Sequence, residues 1–190
     1  GGLKQLEKIG PGGETLMDYS IHDAKRAGFT RVIFLIREEM RQQFESQVGE
    51  KYRKILDVEY AYQNIYDLPS GFNCPAGRIR PWGTGHAVWS ARKSLAANDF
   101  AVINADDFYG FETFQVLARS FDLGQAEKPE QPILSMVGFQ LSETLSEHGL
   151  VSRGICKETA GYLDTVEEWS NIGGVPITGF NSTGTELSLS

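Results

Sequence analysis

Two adjacent carboxylates, Asp106 and Asp107, are the clearest chemical signal in the sequence. They follow a short apolar run, residues 100–103, so both stand at the carboxyl end of a predicted strand. Neighbouring like charges in a concave site are costly unless a cation neutralises them. Mg²⁺ combines few protein carboxylates with phosphate oxygens, and one aspartate at a strand end can supply such a ligand. The pair therefore indicates a metal site, with a helix cap or a simple turn as the structural alternative.

A glycine-rich segment, Gly83-Thr84-Gly85-His86, opens a predicted helix. Glycines let the backbone approach a ligand closely, and the free amides at a helix start favour anions. The alternative is a plain transition from loop to helix, with Thr84 as the cap. His86 is interpreted as a residue of the first helical turn that makes a local hydrogen bond, and not as an acid or base.

Two single residues are weaker candidates. Lys4 lies beside glycines near the start of the sequence, where its ammonium could meet a phosphate as a point charge or simply be solvated. Gln63 ends a predicted strand, and its amide could read the edge of a nucleobase or do no more than end the strand. In open α/β sheets ligands bind beyond the carboxyl ends of the strands, which favours Gln63 and Asp106 as neighbours of one site.

The composition excludes several classes of function. The 190 residues include 18 Lys plus Arg and 25 Asp plus Glu, and the net charge of −7 argues against binding to a nucleic-acid backbone. The longest apolar run, residues 32–36, is too short to predict a membrane span. The only cysteines, Cys74 and Cys156, are too few for a disulfide framework and indicate reduced thiols in the cytoplasm. Motifs of P-loop enzymes, zinc proteases and serine hydrolases are missing from the sequence.

These residues must be positioned by strands and helices that alternate along the chain. Apolar spacing predicts helices near residues 16–27, 40–55, 87–95 and 111–121, and strands at residues 31–36, 57–63, 100–104 and 132–141. The long Pro- and Gly-containing connection at residues 64–83 is typical of a functional or a disordered loop. Residues 150–158 and 162–169 predict a hairpin, and residues 179–190 form a polar tail. The pattern predicts a three-layer α/β fold with a mostly parallel sheet and late antiparallel strands.

The order of the polar segments resembles the sugar-phosphate nucleotidyltransferases, among them the glucose-1-phosphate thymidylyltransferases. Lys4-Gln5-Leu6 looks like the end of that family's N-terminal signature, and Gln63 with residues 83–87 parallels its base-binding segments. Asp106 and Asp107 lie in Val-Ile-Asn-Ala-Asp-Asp-Phe-Tyr-Gly, which is similar to the family's Val-Leu-Gly-Asp-Asn-Ile-Phe-Tyr-Gly. Three further segments match in order, at residues 13–19, 148–151 and 166–169.

The resemblance implies a Rossmann-like, glycosyltransferase-A-like fold and a reaction. A sugar 1-phosphate attacks the α-phosphorus of a nucleoside triphosphate, which gives a nucleotide-sugar and pyrophosphate. The same resemblance implies a role for each candidate residue at the phosphates: Lys4 neutralises their charge, Asp106 holds Mg²⁺ and Gln5 binds substrate. It also implies that Gln63 and Gly83 contact the nucleobase, with Thr84 nearby. Gly149 and Glu168 would face the sugar. Homo-oligomers are an assembly that the resemblance allows.

The sequence also departs from the family. Ala105 replaces a glycine, and the aspartate pair leaves a choice of one residue, for which we take Asp106. Trp169 stands where the family has a basic, proline-containing stretch. The family's glycine-rich triphosphate loop and its second metal-binding aspartate have no counterpart here. We therefore expect residues 1–190 to be one nucleotidyltransferase domain that is cut at both ends and has little or no turnover by itself.

Two other functions remain open at this point. Similar folds serve cytidylyltransferases that act on a phosphorylated alcohol such as phosphocholine, and residues 166–169 do not separate a sugar from an alcohol acceptor. A non-catalytic module that binds a nucleotide for regulation would also keep the fold.

Overall fold

The computed structural model describes residues 7–96, 98–127 and 133–189. The chain divides into two compact units, Gly1–Ser135 and Met136–Ser190. The first unit contains a parallel pair of strands with five α-helices, and the second contains an antiparallel sheet.

A parallel pair of strands forms the centre of the first unit. Strand β1 (Arg31–Ile36) pairs with β2 (Asp57–Tyr62), with Arg31 opposite Asp57 and Ile36 opposite Tyr62. The backbone N–H of Gln63 donates to the carbonyl oxygen of Ile36 at 3.0 Å, which extends the pairing one residue past β2. Both predicted strands are thereby confirmed, and Gln63 stands at the carboxyl end of the pair.

Helix α1 (Leu16–Arg26) begins with a capping box. The Thr15 hydroxyl accepts from the Asp18 backbone N–H at 3.2 Å, and the Asp18 carboxylate accepts from the Thr15 backbone N–H at 2.8 Å. Gly28 follows the helix with a φ of 101°, a conformation that glycine adopts without a steric penalty. The helix predicted from the spacing of apolar residues is confirmed.

The segment between β1 and β2 is helical but not one regular helix. A 3₁₀ turn (Glu38–Met40) leads into α2 (Arg41–Phe44), a π-helical turn (Glu45–Gly49) and α3 (Glu50–Tyr52). A Cβ at Gly49 would lie 2.1 Å from the hydroxyl oxygen of Tyr60, so only glycine allows the helical backbone to approach β2 this closely. The predicted helix at residues 40–55 is therefore present in a broken form.

The core of the first unit lies on one face of the strand pair. The Phe34 ring lies with its centroid 5.2 Å from that of Phe44 and 5.9 Å from those of Tyr52 and Tyr60. Met17 and other buried residues complete this cluster. Helix α4 (Thr84–Leu95) packs against both strands, and its buried Ala91 and the buried Ala61 are small enough for a close approach. Side chains alternate between the two faces of a strand, so Ala61 lies on the face opposite that of Tyr60, the residue paired with Phe34. Helical segments therefore cover both faces of the strand pair, and the first unit has three layers.

The helix predicted near residues 111–121 is confirmed as α5 (Phe111–Glu127), and it packs against α1. Phe29, just after α1, makes edge contacts with Phe114 and Phe121 at centroid distances of 6.3 and 5.9 Å. The Arg26 guanidinium lies 4.0 Å from the centroid of the Phe111 ring.

The predicted strands at residues 100–104 and 132–141 do not form in the described part of the chain, so this prediction was wrong. Their apolar side chains are exposed, with Val102 at 61% and Leu134 at 94%. An apolar run with β-branched residues forms a strand only when its backbone N–H and C=O groups find a neighbour with which to pair. Neither segment has such a neighbour among the described residues.

The second unit is an antiparallel sheet in which consecutive strands are neighbours. Its strands are β3 (Val151–Thr159), β4 (Tyr162–Gly173), β5 (Ile177–Asn181) and β6 (Glu186–Leu189). Ala160 and Gly161 connect β3 to β4 with positive φ angles of 53° and 84°, as a two-residue hairpin turn requires. The predicted hairpin is confirmed. The predicted polar tail belongs instead to β5 and β6, which pair with each other.

The fold class is therefore α/β, with a parallel strand pair and a separate antiparallel sheet. No helix within the described ranges is both long and apolar enough to cross a bilayer.

Candidate active site

The Gln63 side chain is held by a histidine from the start of α4. Because side chains alternate along a strand, Gln63 shares the face of Ala61, against which α4 packs. Its Nε2 lies 3.1 Å from His86 Nδ1, and His86 Nε2 lies 2.9 Å from the backbone carbonyl oxygen of Asp67. The amide at the end of β2 is thus part of a chain of hydrogen bonds that leads to the loop beyond it.

Hydrogen bonds and a cation–π contact connect that loop, residues 64–83, to α4 and join parts of the loop to each other. Arg92 donates from Nη1 and Nη2 to the two carboxylate oxygens of Asp67 at 2.7 and 2.8 Å. The hydrogen bonds from Arg92 hold the pKa of Asp67 below its ordinary value. The indole N–H of Trp82 donates to the carbonyl oxygen of Ile65 at 2.9 Å, and the Arg78 guanidinium covers the Trp82 ring at 3.5 Å from its centroid. The sequence left open whether this loop is functional or disordered, and in the structure it makes specific contacts with α4 and within itself.

The start of α4 is open. Gly83 is the N-cap residue with a φ of 120°, and a Cβ there would meet no atom within 4 Å. Thr84 is the first helical residue and is exposed. No side chain in the described ranges caps this helix. The alternative interpretation of Thr84 as the cap was therefore wrong, because the chain enters the helix one residue earlier, through a glycine without a side-chain acceptor.

The two adjacent aspartates have different surroundings. Asp107 Oδ2 accepts from Asn104 Nδ2 at 2.8 Å and from the Tyr109 hydroxyl at 3.3 Å. The Asn104 backbone N–H donates to the Tyr109 hydroxyl oxygen at 2.9 Å. Burial and the charges of Asp107 and Asp106 raise the pKa of Tyr109, so its hydroxyl stays protonated and can donate. Asp107 therefore closes a turn.

Asp106 is exposed, and its carboxylate makes no hydrogen bond or ion pair within the part of the chain that the structure describes. Both of its oxygens can accept a ligand without first breaking an internal contact.

A family model of nucleotidyl transferases matches residues 3–168 of this chain. That range takes in every candidate position named from the sequence and most of both units. The chain belongs to the nucleotidyl transferase family. Membership of this family supports a nucleotidyl transfer activity and a Rossmann-like domain. The observed α/β fold with its parallel strands agrees with such a domain. A search among curated proteins found no match.

Four further positions of this nucleotidyl transferase were predicted from the sequence. Lys4 and Gln5 lie outside the described residues. Gly149 has a φ of 153° and forms an isolated bridge with Ser146, and Glu168 lies in β4 opposite Gly154 with its side chain exposed. Both belong to the second unit. Their predicted contact with a sugar stays a prediction.

The described residues hold no group of three or more His, Cys, Asp or Glu side chains that could bind a metal by itself. Mg²⁺ beside phosphates does not need such a group, because it combines one or two carboxylates with water and substrate oxygens.

Sequence reasoning did not find the ion pair of Asp67 and Arg92 or the anchoring of Trp82. The two members of the ion pair are 25 residues apart in the chain, and neither residue lies in a recognisable motif. His86 stood in a candidate motif, but nothing in the spacing indicated that its ring would meet Gln63.

Proposed function

We propose that this nucleotidyl transferase joins a nucleoside triphosphate to a sugar 1-phosphate, with release of pyrophosphate. The observation that carries the proposal is the unequal pair of aspartates, in which Asp107 closes a turn and Asp106 keeps its carboxylate available. The order of the polar segments, with its resemblance to the sugar-phosphate enzymes, supports the choice of acceptor.

Asp106 is the proposed ligand of Mg²⁺. Its donor chemistry fits, because Mg²⁺ takes one or two carboxylates and completes its shell with water and substrate phosphate oxygens. When bound, the ion would neutralise charge on the phosphates. Lys4 is proposed to add a second positive charge near them, with Gln5 as a neighbouring contact.

The nucleobase is proposed to bind where Gln63 meets the start of α4. The Gln63 amide offers both a donor and an acceptor, as a base edge requires. The open space beside Gly83 lets a flat ring approach the backbone, and Thr84 adds a hydroxyl there. The first-turn amides of an uncapped helix start also favour a negatively charged group nearby.

The proposed chemistry needs no covalent intermediate on the protein. A phosphate oxygen of the sugar 1-phosphate forms a bond to the α-phosphorus, and the bond from that phosphorus to the oxygen of the leaving pyrophosphate breaks. Positioning and charge neutralisation provide the catalysis of such a transfer. Gly149 and the exposed Glu168 carboxylate are proposed to bind hydroxyl groups of the sugar.

The test is pyrophosphate release by the complete gene product with Mg²⁺. The panel combines the common nucleoside triphosphates with several sugar 1-phosphates and with phosphocholine, and chelation of the metal is the control. Release with a sugar 1-phosphate confirms the proposal. Release with phosphocholine alone would assign the cytidylyltransferase reaction instead, and binding of a triphosphate without any release would assign a regulatory module.

We also propose a cytoplasmic location, because Cys74 and Cys156 are both free thiols. The partners are proposed to be the two small substrates, with no nucleic acid and no membrane among them. A homo-oligomer stays a prediction from the resemblance, and sedimentation of the complete gene product measures it directly.

A further inference from the structure

The ring of His86 stands between two groups with different hydrogen-bonding abilities. Its Nε2 lies 2.9 Å from the carbonyl oxygen of Asp67, and its Nδ1 lies 3.1 Å from the amide of Gln63. A carbonyl oxygen can only accept, so Nε2 must carry a proton. In the neutral ring Nδ1 is then an acceptor, and it must take an N–H from Gln63.

This chain of hydrogen bonds determines which way the Gln63 amide faces. The NH₂ group is directed to His86 and the carbonyl oxygen Oε1 is directed away, whereas a free amide could rotate by half a turn and exchange the two.

The carbonyl of Asp67 is itself held in place relative to His86. The Asp67 carboxylate receives two hydrogen bonds from Arg92, at 2.7 and 2.8 Å. The guanidinium of Arg92 lies 4.2 Å from the centroid of the Trp89 ring, and Nη1 donates to the Trp89 carbonyl oxygen at 2.9 Å. Since His86, Trp89 and Arg92 belong to one helix, the acceptor for His86 Nε2 moves with the ring.

We infer that His86 is a positioning residue that makes nucleobase recognition by Gln63 selective between keto and amino bases. Keto bases such as uracil present a ring N–H beside a carbonyl oxygen, and amino bases such as cytosine present a ring nitrogen acceptor beside an NH₂. Where one of these edges has a hydrogen-bond donor, the other has an acceptor. An amide that can rotate reads both, and an amide fixed by His86 reads one and leaves unpaired groups against the other.

This inference rests on the proposed role of Gln63 at the nucleobase. It concerns His86 as a residue that acts through Gln63 and does not touch the substrate. A mismatch of one donor and acceptor pair lowers affinity by roughly ten- to a hundredfold, and that is the selectivity that His86 is expected to maintain.

The test compares two substitutions that each keep half of the histidine. His86→Asn places an amide close to the position of Nδ1, but this amide does not reach the carbonyl of Asp67, so it can rotate and no longer orients Gln63. His86→Gln keeps an N–H that reaches the carbonyl of Asp67 and has no acceptor at the position of Nδ1. Ser90→Ala is the matched control, because it removes a 2.9 Å hydrogen bond to the backbone carbonyl of His86 without changing the ring.

Titration calorimetry of the complete gene product measures the dissociation constants for UTP, CTP, GTP and ATP. The ratio between keto and amino triphosphates is expected to fall by about tenfold or more in His86→Gln and in His86→Asn, and to stay unchanged in Ser90→Ala. Equal ratios in the wild type and His86→Gln would overturn the inference.

Nitrogen NMR of the histidine rings and glutamine amides provides the readout that does not depend on the proposed function. The expected result is a proton on Nε2 of His86 and a shifted resonance for the Gln63 amide proton that faces Nδ1, a shift that His86→Gln abolishes. A proton on Nδ1 alone would overturn the inference. If no triphosphate binds, the proposed function fails, and these resonances still decide whether His86 orients the amide.

Discussion

Neighbouring side chains of one type can have different surroundings, as Asp106 and Asp107 show. The sequence offered both as the metal ligand, and we took Asp106. In the structure Asn104 and Tyr109 donate to Oδ2 of Asp107 and hold that carboxylate in a turn, whereas the Asp106 carboxylate accepts no hydrogen bond from the described residues. A residue at i+5 from Asn104 is too remote for a local motif to signal this turn.

The first prediction separates these two aspartates. In the complete gene product Asp106→Asn is expected to lower Mg²⁺-dependent pyrophosphate release by on the order of a hundredfold or more, because the metal loses its charged ligand. Asp107→Asn keeps an oxygen that can accept from Asn104 and is expected to lower release by about tenfold or less. Circular dichroism checks that both variants fold. The opposite order of effects would move the metal ligand to Asp107.

Hydrogen bonds between two residues, Thr15 and Asp18, fix where helix α1 begins. Thr15 and Asp18 form the capping box, and Thr15 is buried. The sequence placed the helix correctly from its apolar spacing and its terminal glycine. The role of Thr15 could have been read from the Thr-x-x-Asp pattern, although Glu or Gln is the more usual partner.

The second prediction uses the two threonines at helix starts. Thr15→Ala is expected to lower the free energy of unfolding by about 1 kcal/mol, because an N–H of the first turn loses its acceptor. Thr84→Ala is the control, since Thr84 is exposed and does not cap α4, and it is expected to change stability by less than about 0.5 kcal/mol. Urea unfolding measures both. Equal losses would contradict the assignment of Thr15 as the cap.

The third prediction concerns the pH dependence of stability at the same helix. Burial alone would raise the pKa of Asp18, but hydrogen bonds from Lys51, Thr15 and Tyr52 outweigh it and hold the pKa below the ordinary value. Lys51 Nζ lies 2.6 Å from the carboxylate, and Tyr52 donates to the same oxygen. When folding lowers the pKa of a carboxyl group, its ionised form stabilises the folded state at every pH above the ordinary pKa. This stabilisation is lost as the pH falls through the lowered pKa of the folded state.

Asp18→Asn is therefore expected to be less stable than the wild type at pH 7. The difference in unfolding free energy should shrink as the pH falls below about 4. Urea unfolding at a series of pH values measures it. A difference that stays constant down to pH 2 would show that the charge of Asp18 does not contribute.

At the scale of the whole molecule, each of the two units has its own sheet. The core of the first unit is a cluster of rings around Phe34 on one face of a two-stranded pair. The second unit buries much less of its sheet, and only Ile172 reaches complete burial there among the described residues. Stability is thus expected to be concentrated in the first unit, where most of the apolar contacts lie.

The fourth prediction tests the position of the core within the first unit by replacing one buried and one exposed phenylalanine with alanine. Phe34→Ala removes a ring that is 8% exposed and contacts three other rings. It is expected to lower the free energy of unfolding by about 3–5 kcal/mol, from lost burial and the cavity left behind. Phe72→Ala, at a ring that is 70% exposed, is expected to change it by less than about 0.5 kcal/mol. Thermal unfolding compares them, and equal effects would contradict the position of the core.

The sequence by itself determined the features that depend on local patterns. The α/β class, the limits of α1, β1 and β2, the helix before Leu95 and the hairpin around Gly161 all follow from periodicity and turn residues, which act over a few positions. Gln63 was likewise found by its place at a strand end and Gly83 by its place at a helix start, whereas the strand expected before Asp106 does not form among the described residues.

Only the tertiary structure decided which groups meet across the chain. His86 finds Gln63 23 residues away, Arg92 finds Asp67 25 residues away, and residues 100–104 find no strand to pair with in the described ranges. A hydrogen bond between distant residues depends on how the elements pack, and periodicity carries no information on which packed neighbour supplies a partner. For that reason the surroundings of Asp106 and His86 became known only from the tertiary structure.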